Sequence, residues 1–137
     1  MTESEIEQIV KTRCHPRTEP IVPPSLEAWQ ALERELGCEL PPELFYIRIL
    51  GARYWIQGDH QPIEEIRIAH AQEQSISGER WGTDLLPFYS VGNGDCVCVR
   101  RSEGRVSGVY YWAHDDPEIR RLHESVADYI QDGDWFP

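Results

Sequence analysis

Lysine is almost missing from this sequence, and long apolar runs are missing altogether. Twelve of the thirteen basic side chains are Arg, and Lys11 is the single Lys. No stretch approaches the roughly 20 apolar residues that a membrane-spanning helix needs, so a helical membrane protein is excluded. The N-terminus, Met1-Thr2-Glu3-Ser4-Glu5, is acidic and lacks the basic start and apolar stretch of a signal peptide. A cytoplasmic location is the expectation. The four cysteines (Cys14, Cys38, Cys96 and Cys98) are too few and too irregularly spaced for a secreted disulfide framework. On a strand, Cys96 and Cys98 point to the same face, which suits packing better than a bridge. Reduced, buried thiols are expected.

What is present fits one ordinary domain, residues 1–137. A chain of this length buries about 65–70% of its unfolded surface and needs neither disulfide nor metal to fold. Five Trp, six Tyr and three Phe, with many Leu, Ile and Val, supply the core. Acids outnumber bases 24 to 13, giving a net charge of −11 and a pI near 4.8. Such a surface repels phosphate backbones and anionic headgroups, which argues against nucleic acid and membrane as partners and favours basic proteins. Solubility alone would also account for the charge.

Punctuation by proline and glycine divides the chain. A helix is expected over about residues 4–13, with Ile6, Ile9 and Val10 on one side. Pro16, Pro20, Pro23 and Pro24 make the following connection extended. Ser25 caps a second helix whose stripe is Leu26, Trp29, Leu32 and Leu36, and Gly37 closes it. A third helix opens at Leu40-Pro41-Pro42-Glu43 and ends at Gly51. Strand patterns follow at 53–56, 65–69 (which reads equally as helix), 86–91, 96–101 and 105–112. The last two form a hairpin turning at Ser102-Glu103-Gly104. A closing helix after Asp116-Pro117 would carry Ile119, Leu122, Val126, Tyr129 and Ile130. The order implies an α+β fold: an antiparallel sheet covered on one side by helices, two to three N-terminal and one C-terminal.

Several of these pieces recur together in one family. Gly37-x-x-Leu40-Pro41-Pro42-Glu43-Leu44-Phe45, then Leu86-Pro87-Phe88, Gly92-Asn93-Gly94-Asp95, and Val109-Tyr110-Tyr111-Trp112 with His114 resemble the SUKH superfamily. The closing helix through Ser125, Val126 and Tyr129 takes the family's terminal aromatic position. Tyr129 in place of Phe, and Gly51-Ala52 in place of Asn-Gly, depart from the pattern. The resemblance covers about residues 25–130. It implies a compact α+β fold that binds without catalysis and without a cofactor. Its commonest role there is that of a bacterial immunity protein neutralising a toxin domain, frequently a nuclease. A fungal cell-wall-assembly regulator in the same superfamily implies the alternative of a scaffold or regulatory adaptor.

Sites of chemistry are weakly marked. A small hydrolase would use His114 and its neighbouring acids, but Asp116 or its neighbour already suits helix capping. His60, in a polar turn at 58–61, reads as a solvated residue. Cys14, His15, Cys96 and Cys98 lack the paired spacing of a zinc site. No thiol or serine sits in a nucleophile setting. Two stretches concentrate acid: residues 25–45, with a net −4, and residues 115–137, with a net −5. The second adds Trp135 to Asp115, Asp116, Asp132 and Asp134, the mixture of aromatic anchor and charge found at binding hot spots. These five residues are the expected contacts with a basic toxin partner. Two solvated helix faces, and a Trp135 folded onto the core, would produce the same pattern.

Overall fold

Thr2 starts the first helix, α1 (Glu3–Arg13), by accepting a hydrogen bond from the Glu5 N–H at 3.2 Å. The computed structural model describes residues 1–56, 59–60, 84–90, 95–113, 115 and 118–132, with the backbone alone at 59, 60 and 90. Ile6 and Val10 bury the inner face of α1 against the third helix, while Ile9 is half-buried. The second helix, α2 (Leu26–Leu36), has Ser25 Oγ accepting from the Ala28 N–H at 3.1 Å and closes on left-handed Gly37. Its stripe is Trp29, Leu32 and Leu36. Leu26, at the first turn, stays 55% exposed. The third helix, α3 (Pro42–Leu50), is too short to be stable alone and is held by burial of Leu44, Ile47 and Leu50.

The extended connection after α1 forms a short strand, β1 (His15–Pro16), paired antiparallel with β2 (Tyr54–Trp55) in a ribbon of its own. The main sheet is an antiparallel meander: β3 (Asp59–His60), β4 (Leu85–Ser90), β5 (Cys96–Ser102), β6 (Arg105–Trp112) and β7 (Ile119–His123). Two irregularities aim its side chains. The β4–β5 register shifts between Pro87 and Tyr89, a bulge that accommodates proline and leaves Phe88 unpaired, on the helix side with Leu86. Opposite the step from Val99 to Arg100, Gly108 is the extra residue, at φ +68, where a Cβ would lie 2.8 Å from the Tyr110 ring. The β5–β6 turn, Glu103-Gly104, has positive φ at both positions, the mirror-image geometry that matches strand twist.

The last helix, α4 (Val126–Asp132), begins later than its sequence stripe indicates. Ile119 and Leu122 lie in β7 instead, where alternation replaces helical spacing. Ile119 joins the face of Trp112, Arg121 reaches the Tyr110 ring, and Arg120 on the opposite face lies 5.2 Å from the Tyr111 ring. The open edge of β6 supplied backbone partners that the periodicity of side chains could not reveal. Ser125, not Asp116 or a neighbour, caps α4, accepting from the Asp128 N–H at 3.1 Å.

Both faces of the sheet carry buried side chains, and among the described residues the helices pack on one of them, the α+β arrangement expected. Leu86, Phe88, Val97, Val99 and Val109 face the helices, whereas Leu85, Cys96, Cys98 and Trp112 form a second cluster on the other face. Asp59 and His60 lie in strand β3, not in the turn expected there. The pattern at 65–69 lies outside the described residues.

Candidate protein-binding surface

Three elements that are far apart in sequence line one cleft of about 580 Å³. The α2–α3 connection supplies Glu39, Leu40 and Pro41, the β5–β6 hairpin supplies Arg105, and the start of α4 supplies Glu124 and Ser125. Local bonds hold the first wall. Glu33, near the end of α2, accepts the Leu40 N–H at 2.7 Å, so this acid builds the loop instead of facing a partner. Arg101 of β5 donates to the Leu36 carbonyl at the end of α2, fixing the helix to the sheet. Glu43 meets the Met1 nitrogen at 3.3 Å. Glu39 and Glu124 both line the cleft and remain exposed, with Glu124 3.1 Å from Arg121. Exposed carboxylates at a cleft of mixed polar and apolar lining suit a cationic side chain from another protein.

A second constellation underlies the sheet. Tyr111 of β6 donates to Asp95, a buried acid at the entrance to β5, at 2.5 Å. The Tyr111 phenol is pushed up to about 12, first by burial and then by the hydrogen bond and charge of Asp95. Asp115 adds to this shift, which places its charge within electrostatic range of the phenol, and Arg120 opposes it. A phenol held protonated in this way acts as a structural donor and not as a base at neutral pH.

The residues expected from sequence to contact a partner are only partly brought together. Asp115 is exposed in the turn ahead of β7. Asp132, at the end of α4, is half exposed and lies 3.4 Å from His123 Nε2 at the far end of β7. The length of β7, roughly 15 Å at about 3.3 Å per residue, therefore separates the two carboxylates. Asp116, Asp134 and Trp135 lie outside the described residues, as does His114. Sequence reasoning missed that Glu39 and Glu124 line one cleft, because the two stand 85 positions apart. The one available signal was that both adjoin motifs of the family resemblance.

The other candidate chemistry disperses. Cys14 belongs to the helix-side core and Cys96 and Cys98 to the opposite face of the sheet, so they do not converge. Among the described residues no three of His, Cys, Asp and Glu come together as a metal site. Burial raises the Cys14 and Cys38 thiols above their ordinary value, against the pull of Arg13 and Arg101 respectively. Thiols of this kind are poor nucleophiles. Among the described residues no helix is long and apolar enough to cross a membrane.

Comparison with known proteins gives one match. Residues 23–132 match the SMI1 / KNR4 family (SUKH-1). No curated protein and no solved structure matches the chain.

Proposed function

The chain belongs to the SMI1 / KNR4 family (SUKH-1), matched over residues 23–132, and from that membership we propose that it is a non-catalytic immunity protein. In this reading the whole of residues 1–137 acts as one domain in the cytoplasm, binding a cognate toxin domain and blocking its active site. The toxin carries a basic surface. A nuclease suits this best, because a site built to attract phosphate also attracts a dense array of carboxylates.

The observation that carries the proposal is the charge of −11 on a scaffold whose cleft presents Glu39 and Glu124. The contacts proposed are Asp115, Asp116, Asp132, Asp134 and Trp135, together with the cleft. Asp115 and Asp132 are too far apart to hold one side chain, yet both fall within a standard interface, which engages about 20–30 residues on each side. Co-expression with the product of the neighbouring gene, the toxin in this reading, tests it. Rescue of growth, with stoichiometric loss of toxin activity when the purified proteins are mixed, is the expected result. A toxin that remains active in a saturating excess of this chain overturns it.

A further inference from the structure

Acid is absent from two stretches of this acidic sequence. Residues 8–18 carry Lys11, Arg13 and Arg17, residues 44–58 carry Arg48 and Arg53, and neither contains Asp or Glu. The β1–β2 ribbon lays these stretches side by side. His15 stands opposite Trp55, the Arg17 N–H bonds the Arg53 carbonyl at 2.8 Å, and the Ile21 N–H bonds the Ala52 carbonyl at 3.0 Å. Arg48 turns inward to the Phe88 carbonyl, at 3.0 Å. Lys11, Arg13 and Arg53 are exposed, and Arg17 is half-buried.

At the centre of the ribbon an aromatic ring lies open. Trp55 is 59% exposed, with the Arg17 guanidinium 4.0 Å from its ring centroid. Arg17 is held there by a 2.6 Å bond from its Nε to the Gly51 carbonyl, so the stacked pair is already ordered. Exposed Ile21 and Val22 extend the apolar area along the same ribbon. Glu7 shares its carboxylate between Lys11 at 3.5 Å and Arg53 at 3.3 Å. Glu19, in the loop beyond Arg17, is the next acid along the chain. Preformed Arg and Trp are the side chains that most often dominate binding energy.

We propose that this ribbon is a second interaction surface, distinct from the acidic cleft, and that it takes an acidic polypeptide segment bearing an apolar side chain beside its carboxylates. The carboxylates pair with Arg17 and Arg53, whose planar forks match them, and the apolar group covers the open part of the Trp55 ring. Charge selects a peptide over nucleic acid. A polyphosphate extends beyond the patch into the field of a body carrying −11, whereas a few carboxylates fit within one Debye length, about 8 Å. The Arg17 guanidinium also occupies a face of Trp55 that a base would stack on. Lys11, Arg13 and Arg17 precede residue 23, where the family match begins, so most of the charge lies outside the matched residues. The surface stands whether or not the immunity reading does.

The test is a titration of the ¹⁵N-labelled full chain with a short synthetic peptide of alternating Asp and Leu, followed by amide and indole resonances. Saturable shifts of the Trp55 indole and of the amides of Arg17 and Arg53–Ile56 are expected. Arg17→Ala and Trp55→Ala should each raise Kd by about tenfold or more, as loss of a hot-spot residue does. An otherwise unchanged spectrum certifies folding, and Arg53→Glu serves as a second variant if Arg17→Ala disturbs the ribbon. Glu39→Gln, at the cleft, should leave Kd unchanged. Absence of shifts on the ribbon overturns the proposal. So does equal binding of a Lys-Leu peptide, tighter binding of a single-stranded oligonucleotide, or shifts on concentrating the chain alone, which would assign the ribbon to a second copy.

Discussion

The Tyr111 hydroxyl donates to Asp95 Oδ2 at 2.5 Å, joining strand β6 to the residue that leads into β5, the middle strand of the sheet. Both residues belong to motifs that carry the family resemblance, and the bond ties those two separated motifs together in this fold. Because the folded phenol is raised from 10.0 to about 12, its contribution to stability is complete below the unfolded value and is lost as pH rises through the folded one. Denaturant midpoints should therefore fall between pH 10 and about 12. Tyr111→Phe should cost about 1–2 kcal/mol at neutral pH, near the lower end for a bond to a charged group because the ring is partly exposed. It should also remove the alkaline step. Urea unfolding at neutral and alkaline pH, with tyrosinate absorbance followed in parallel, checks both. A variant with the parent's alkaline profile would show that another group is responsible.

Helix packing offers a separate measurement. Trp29 is 3% exposed and lies 5.3 Å, centroid to centroid, from the half-buried Phe45. Trp29→Ala should cost about 3–5 kcal/mol, as large core truncations do. Phe45→Ala should cost less, about 1–3 kcal/mol, because part of its ring already meets water. The double variant should show a coupling of about 0.5–1.5 kcal/mol, the amount expected of an aromatic pair. Independent effects would mean that the two rings do not pack in solution.

The helices and most of the meander were legible because local chemistry and tertiary structure agree there. Ser25 and Gly37 bound α2, Pro42 opens α3, and Glu103-Gly104 turns the hairpin. The misjudgements arose where a partner strand decided the outcome. Ile119 and Leu122 have helical spacing with Val126, yet the backbone of β6 draws them into β7. The mixed apolar run Cys96–Val99 reads as one strand but not as two cores, because the sequence does not reveal that both sheet faces are buried. Tyr111 and Phe45, in a strand and a helix that read as apolar, are only half-buried. Tyr129, a departure from the family's Phe, keeps the ring's packing role, lying edge-on to Phe88 at 5.6 Å. Of the site, the acids were visible in the sequence, but their separation along β7 and the cleft that gathers Glu39 and Glu124 were not.

Thiol reactivity should report the fold directly. All four cysteines are buried and free of disulfides, and burial raises the Cys14 and Cys38 thiols. The native protein should react with an aromatic disulfide reagent far more slowly than a small thiol does, and all four should become reactive in denaturant. Mass spectrometry during the reaction would identify any exception. Rapid labelling of Cys96 or Cys98 in the native state would contradict burial of the second cluster.

Charge supplies the functional prediction. Attraction between a body of −11 and a basic toxin acts before contact, so the association rate should fall steeply with ionic strength. Neutralising Asp115, Asp116, Asp132 and Asp134 together should slow association. Folding should change little, because Asp115 is exposed and the Asp132–His123 pair is half exposed, where ion pairs contribute less than about 1 kcal/mol. Neutralising Glu39 and Glu124 tests the cleft by the same measure, and the larger loss of rate identifies the face that docks. Trp135→Ala should act differently. An aromatic anchor engages after encounter, so its loss should speed dissociation and leave association nearly unchanged. Stopped-flow binding to the toxin domain at several salt concentrations separates these effects. Association that ignores salt, or a quadruple variant that associates like the parent, would remove the C-terminal acids from the interface and leave the cleft as the surface to test next.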